Sequence, residues 1–215
     1  MLPTNLDRIE VRVLGCLIEK ELSTPDHYPL SLNALTSACN QSSNRDPVMS
    51  LDESAVSQAL DALRRQGLVR SIQGIGSRVP KYQHLLVEVG DLTRAELAVL
   101  GVLALRGPQT RAEIKTRAAR LTSDGDSTGF DATFDALLMR EPQPIVTLLA
   151  RRPGQKEARY AHLLGGEIEP ADELRTAPAN SASDRIAALE DLVRDLRSEV
   201  ADLHAQLAEF RKQFD

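Results

Sequence analysis

The chain has 215 residues, of which 42% are hydrophobic and 27% are charged, proportions typical of a soluble globular protein. It contains no apolar run near the roughly 18 residues that span a bilayer, and its start leads straight into a capped helix, so we expect a cytoplasmic protein without a signal peptide. The net charge of −5 arises mainly in residues 167–215, which hold six basic and twelve acidic residues. The remainder is nearly neutral, so the acidic balance does not exclude nucleic-acid binding.

A twelve-residue phrase that begins at Leu6 recurs at Leu92, an offset of 86 residues, and this indicates a duplicated domain. Each copy starts with a capping box, formed by positions 7 and 10 in the first copy and 93 and 96 in the second, and this predicts the start of a helix. Apolar residues at 9, 13, 14 and 17, and again at 95, 99, 100 and 103, predict one buried face. Gly15 and Gly101 each cost about 1 kcal/mol within a helix, so we expect another helix to cross closely there.

Two more helices follow each copy of the phrase. Residues 29–31 start the second helix of the first copy, and a capping box from Thr110 to Glu113 starts its counterpart. A box from Ser50 to Glu53 starts the third helix, which Gly67 ends. The counterpart of the third helix is predicted to run from about residue 130 until Pro142.

Each third helix precedes two extended segments around a turn, at 68–72 and 79–87 in the first copy and at 145–149 and 158–163 in the second. These segments predict β-hairpins. Three helices followed by a hairpin is the winged-helix pattern. We therefore predict a mainly α protein with small β-hairpins (α+β), in which winged-helix domains occupy residues 1–89 and 90–166.

The C-terminal region is predicted to be an acidic linker at 167–182 followed by a coiled-coil helix at 183–215. Its apolar residues alternate in steps of three and four, which is the heptad pattern of a coiled coil. The helix is predicted to form a parallel homodimer; the alternative is a single amphipathic helix that packs on the rest of the chain. The predicted coil positions are Ile186, Leu189, Val193, Leu196, Val200, Leu203, Leu207 and Phe210.

Several phrases of the chain resemble those of the YceH-type proteins, a bacterial family of tandem winged-helix proteins. The phrases are LGCLIEK (14–20), TPDHYPLS (24–31), ACNQSSNRDPVM (38–49), RAAR (117–120) and RRPGQKEARY (151–160). The resemblance covers residues 6 to about 164 and includes a terminal coil. It implies the winged-helix fold, but it transfers no catalytic residue.

The resemblance makes DNA binding one expected function, because a winged helix can insert its third helix into the major groove and contact phosphates with its hairpin. Gln58 and Arg64 could read base edges, whereas Asp131 and Asp135 disfavour such contacts. The hairpin cations either neutralise phosphates or are simply solvated. The candidate DNA-binding residues are Gln58, Arg64, Arg65, Arg78, Lys81, Arg151, Arg152, Lys156 and Arg159. A further set of cations lies on or near the second helix of the second copy. A solvated helix face and a ligand explain these cations equally well: Arg106, Arg111, Lys115, Arg117 and Arg120.

The loop at 40–47 is longer than the roughly 3–4 residues that a helix-turn-helix needs. Its polar residues either brace the adjacent helix, which we favour, or form a contact surface for a protein partner. The residues concerned are Asn40, Gln41, Asn44, Arg45, Asp46 and Pro47.

No catalytic motif is evident in the sequence. The four histidines, at 27, 84, 162 and 204, are scattered, and Cys16 and Cys39 fall within helical patterns, which favours a reduced pair over a disulfide or metal site. We expect no enzyme activity, cofactor or metal. The predicted function is that of a DNA-associated, regulator-like homodimer with weak sequence preference; the alternative is an adaptor that binds proteins through the same domains.

Overall fold

The computed structural model describes residues 2, 5–73, 79–122, 129–151, 155 and 157–166. All of these residues belong to one compact unit. The predicted linker at 167–182 and the predicted coil at 183–215 lie outside the described residues.

Among its described residues, the first half of this unit contains four α-helices, one short 3₁₀ helix and three strands. In chain order they are α1 (Arg8–Ser23), a short 3₁₀ helix (Pro25–His27), β1 (Leu30–Ser31), α2 (Leu32–Cys39), α3 (Glu53–Arg65), β2 (Val69–Ile72), β3 (Lys81–His84) and α4 (Leu86–Gly90). The strands form an antiparallel sheet in the order β1-β3-β2.

The second half repeats this order without an equivalent of α4 among the described residues. Its elements are α5 (Arg94–Arg106), β4 (Gln109–Thr110), α6 (Arg111–Ala118), α7 (Phe130–Leu138), β5 (Val146–Leu148) and β6 (Arg159–His162). Its antiparallel sheet has the equivalent order β4-β6-β5. The chain is thus a mixed α/β protein with two small antiparallel sheets.

The predicted helix starts are confirmed at three capping boxes and wrong at one. Asp7 with Glu10, Thr93 with Glu96 and Thr110 with Glu113 each form the predicted reciprocal bonds. The predicted box at Ser50 is wrong, because the N-cap of α3 is Asp52, whose carboxylate accepts a hydrogen bond of 2.7 Å from the Ala55 amide. A carboxylate directly before the first helical residue also has a favourable interaction with the positive end of the helix dipole.

The predicted hairpins are present, with shorter strands and a third strand added to each. The segment at 79–87 was expected to be extended throughout, but Leu86 and Val87 belong to α4. The additional strands, β1 and β4, have two residues each and pair with β3 and β6. Strands this short carry no readable alternation of polar and apolar residues, so the sequence gives no signal for them.

Helices α1 and α5 form the centre of the shared hydrophobic core. We expected one buried face on each helix, and this expectation is wrong: residues 10–19 of α1 and 96–105 of α5 are buried all round, while Ala95, expected inside, is exposed. A helix packed on every side by other elements has no solvent-facing stripe. The buried apolar residues of both halves form one continuous cluster.

The two helical glycines mark the point where α1 and α5 cross, which confirms the predicted close crossing. A Cβ atom at Gly15 would lie 3.0 Å from Ala104 Cβ and 3.0 Å from Leu105 Cδ2. A Cβ atom at Gly101 would lie 2.9 Å from Ile18 Cγ2. Both glycines therefore allow two helix backbones to approach more closely than any other residue would permit.

Candidate nucleic-acid interface

The exposed face of α3 carries both predicted base-reading residues of the first half. Gln58 is exposed, and its amide nitrogen lies 3.4 Å from Ser54 Oγ. Arg64 forms an ion pair of 3.2 Å with Asp61 Oδ1, and both side chains are about half exposed. An exposed pair of this kind contributes only about 0.2–1 kcal/mol, so it can open, but Asp61 remains beside any phosphate that Arg64 would contact. Arg65 is exposed and forms no ion pair with another described residue.

The acidic residues of α7 are neutralised by α6. Arg111 contacts Asp131 and Asp135, each at 2.9 Å, and Lys115 lies 3.7 Å from Asp131. The Arg111 guanidinium also lies 4.9 Å from the centre of the Phe134 ring, a cation–π contact. This face is therefore electrically balanced, and its cations are engaged within the protein.

Of the described hairpin cations, two are exposed to solvent and one is hydrogen-bonded within the protein. Lys81 and Arg151 are exposed, and neither pairs with a carboxylate within the part of the chain that the structure describes. Arg159 is half-buried, and its Nη1 donates a hydrogen bond of 2.9 Å to the Pro108 carbonyl. The other three predicted hairpin cations, Arg78, Arg152 and Lys156, lie outside the described residues.

The loop at 40–47 is held in place by a buried arginine of its own. Arg45 is 5% exposed, and its guanidinium donates to both carboxylate oxygens of Glu19, at 3.0 and 2.6 Å. It also donates to the Ala38 carbonyl at 3.0 Å and to Gln41 Oε1 at 2.8 Å. A bidentate pair with additional hydrogen bonds has the geometry that compensates for the desolvation of two charges.

A second buried arginine, Arg12 of α1, ties both ends of the same loop. Its Nη1 donates to the Cys39 carbonyl at 3.1 Å, and its Nη2 donates to the Pro47 carbonyl at 2.6 Å. The Asn40 amide exchanges hydrogen bonds with the backbone of Leu51, at 2.7 and 2.8 Å. These contacts support a bracing role for Asn40 and Arg45.

Sequence reasoning missed Arg12 and Glu19, although the repeat contains a signal for both. At the offset of 86 residues, the second copy has Ala98 in place of Arg12 and Leu105 in place of Glu19. A charge at a position that is apolar in the other copy indicates a polar contact specific to the first half. In the structure, that contact is the loop at 40–47.

A third buried polar group, also missed, centres on His84 in β3. Its Nδ1 accepts a hydrogen bond of 3.3 Å from the Leu86 amide, and its Nε2 lies 2.8 Å from Glu21 Oε2. The close contact with His84 lowers the pKa of Glu21. The backbone amide of His84 donates to the Tyr28 hydroxyl at 2.8 Å, and burial raises the pKa of Tyr28. The contacts link α1, β3 and the start of α4.

Within the described ranges, no group of three histidine, cysteine or carboxylate side chains is arranged to hold a metal ion. None of the described helices is both long enough and apolar enough to cross a bilayer.

These observations define a mixed α/β protein built from two copies of one helix-and-sheet unit. Residues 6–155 match the family model described as "Protein of unknown function, DUF480", and the chain belongs to that family. It is 51% identical to the UPF0502 protein of Pelobacter propionicus, over 98% of each chain, and 51% identical to that of Geobacter sulfurreducens, also over 98% of each. Identity to the UPF0502 protein of Pectobacterium atrosepticum is 46%, over 94% of this chain and 96% of the relative.

Proposed function

We propose that the chain is a tandem winged-helix protein that binds DNA in the cytoplasm as a regulator-like homodimer with weak sequence preference. The observation that carries this proposal is the repeated topology. In each half a pair of helices, α2–α3 or α6–α7, precedes a hairpin whose second strand lies at the centre of a three-stranded sheet. This is the arrangement of a winged helix, and the resemblance to the YceH-type proteins supports it.

Phosphate contacts dominate the proposed interaction. Arg65, Lys81 and Arg151 are exposed and have no ion-pair partner in the described part of the chain, so they can neutralise phosphates without first breaking an internal contact. Base reading is disfavoured on both third helices, because Arg64 pairs with Asp61 and α7 presents two carboxylates. Phosphate contacts position a protein on DNA but carry no sequence information directly, hence the weak preference.

The proposed dimer rests on the heptad pattern of residues 183–215. Valine or isoleucine at most a positions of the heptad, and leucine at most d positions, favour a parallel coiled coil of two helices. A dimer presents four winged-helix units to one duplex, so that weak individual contacts add through an increased effective concentration.

The test is the salt dependence of binding between the full-length protein and a short DNA duplex, measured by fluorescence anisotropy. Log affinity is expected to fall with log salt by about 0.9 per phosphate contact. The triple change Arg151→Gln, Arg152→Gln and Lys156→Gln should flatten that slope by up to about three units and weaken all duplexes alike. Arg159 is left intact because it also contacts the Pro108 carbonyl.

The matched control is Arg8→Gln, which removes an exposed cation outside the proposed interface and should leave the slope unchanged. Tight, sequence-selective binding that survives the triple change would contradict the phosphate mechanism.

The adaptor function is favoured by a different observation, namely the carboxylates on the third helices: Asp61 on α3, and Asp131 and Asp135 on α7. Acidic side chains at these positions disfavour contact with phosphates but are compatible with a protein partner. Absence of duplex binding by the unmodified protein at low salt would favour this function over the first.

A further inference from the structure

Three stretches that are distant in sequence meet at one cavity. The cavity has a volume of about 530 Å³ and lies between the end of α1, the loop at 40–47 and the residues that follow α6. Its polar lining residues include Lys20, Gln41, Ser42, Ser43, Asn44 and Arg120. The volume is within the range of roughly 300–1,000 Å³ that small-molecule sites occupy.

Glu19 is the only carboxylate among the described lining residues, and it is already paired within the protein. Both of its oxygens accept hydrogen bonds from Arg45, and it forms a longer ion pair of 3.8 Å with Lys20. Two cations thus share one carboxylate. Together with Arg120 they leave an excess of positive charge at the cavity.

A further cation, Arg106, lies next to the loop at 40–47. The Arg106 guanidinium donates a hydrogen bond to Asn44 Oδ1, so it contacts a lining residue. Burial, followed by the charges of Arg117 and Arg45, lowers the pKa of Arg106. Mutual repulsion among these cations is relieved when an anion binds nearby.

One of these cations also has unused hydrogen-bonding capacity. Arg117 precedes Arg120 by three residues, and its Nη2 lies 3.5 Å from Glu113 Oε1. Its Nη1 is buried and has no hydrogen-bond partner within the described residues. Buried donors without a partner are rare in folded proteins. Arg117 is not among the lining residues, so it adds to the positive charge around the cavity and not to the lining itself.

We infer that this cavity binds a phosphorylated small molecule, whose phosphate contacts Lys20 and Arg120 and whose polar groups contact the serines at 42 and 43 and Gln41. A phosphate fits better than a neutral ligand because the lining combines hydroxyl and amide groups with two cations: Arg120, which has no carboxylate partner among the described residues, and Lys20, which shares Glu19 with Arg45. A concave site between the two halves fits a small molecule better than an extended duplex. The inference does not depend on DNA binding.

The test is isothermal titration calorimetry of the full-length protein with inorganic pyrophosphate, at an ionic strength held constant with sodium chloride. Saturable binding to one site per chain is expected. Arg120→Gln and Lys20→Gln should each weaken it about tenfold, the effect of losing one charge-assisted hydrogen bond. Arg120 is exposed and its side chain makes no described contact, so the fold should be unaffected.

Arg65→Gln is the matched control, because it removes an exposed arginine that is not in the lining and should leave pyrophosphate affinity unchanged. Absence of saturable binding overturns the inference, as does equal weakening by all three substitutions. Loss of duplex affinity in Arg120→Gln without loss of pyrophosphate affinity would assign the surface to nucleic acid instead. Loss of duplex affinity in Arg65→Gln alone tests the proposed function and leaves the cavity unaffected.

Discussion

Positions 12 and 98 are equivalent in the two copies of the repeat, yet one is a buried arginine and the other an alanine. The difference extends through each half. In the first half, Arg12 and the Arg45–Glu19 pair hold a loop against the central helix through buried charge. In the second half the positions equivalent to Arg12 and Glu19 are apolar, Ala98 and Leu105, and aromatic rings pack together around Phe134.

The aromatic contacts of the second half centre on Phe134. Its ring stacks on Phe130 with centroids 5.5 Å apart, and it meets Tyr160 edge to face at 4.8 Å. One topology is thus stabilised in two ways. Apolar packing tolerates a change of shape or volume at modest cost, whereas a buried ion pair is sensitive to the loss of either partner.

The largest expected effect comes from breaking that ion pair. Arg45→Met leaves the Glu19 carboxylate buried without its partner and should lower the free energy of unfolding by about 3–5 kcal/mol, measured by urea denaturation. The double change Glu19→Leu with Arg45→Met makes the site resemble the second half, which has Leu105 there, and should be less destabilising than the single change. A double variant less stable than Arg45→Met would show that the pair is not interchangeable with apolar packing.

The second prediction compares the histidines of the two central strands. His84 and His162 occupy equivalent positions, opposite Val69 and Val146, but only His84 has a carboxylate beside it among the described contacts. Burial lowers the pKa of His162 to about 4, from 6.5. At pH values between 4 and 6.5, the histidine at 162 binds more protons in the unfolded chain than in the folded chain. The free energy of unfolding therefore decreases as the pH falls from 6.5 towards 4.

The expected loss is about 2–3 kcal/mol, measured by urea denaturation at a series of pH values. His162→Gln should remove this part of the pH dependence, whereas His27→Gln, at an exposed position, should retain it. Identical pH profiles for the unmodified protein and His162→Gln would contradict the assignment.

The smallest predicted effect concerns the crossing of α1 and α5. Gly101→Ala gains about 1 kcal/mol of helix propensity but places a methyl group against Ile18, and overpacking costs roughly 1–3 kcal/mol. We expect a net destabilisation of about 1 kcal/mol in urea denaturation. In a double-mutant cycle, Ile18→Ala should relieve part of that cost. A stabilised Gly101→Ala variant would mean that the crossing has room to adjust.

The sequence predicted the repeated elements because each is signalled locally. The capping boxes at Asp7, Thr93 and Thr110 are formed, and both glycines mark a crossing. Which helix crosses at each glycine could not be predicted, because that depends on contacts between residues far apart in the chain. The burial of residues 10–19 of α1 and 96–105 of α5 on every side was missed for the same reason, since periodicity describes one helix and not its neighbours.

The predicted sites depended on exposure, which a sequence does not give. Arg64 and Arg159 were grouped with the other cations, but in the structure one pairs with Asp61 and the other contacts the Pro108 carbonyl. The loop at 40–47 was recognised from its length and composition, whereas its bracing residues Arg12 and Glu19 lie in a helix that otherwise has an apolar pattern. Only a comparison of the two copies reveals them.

The glycine crossing also has a consequence for the symmetry of the core. Gly15 meets residue 104, and Gly101 meets residue 18, and these two contacts are related by the same offset of 86 residues. Reciprocal contacts of this kind define an isologous interface, the type that joins the subunits of a two-fold symmetric homodimer. The two copies therefore meet inside one polypeptide with the local two-fold symmetry that otherwise relates separate subunits.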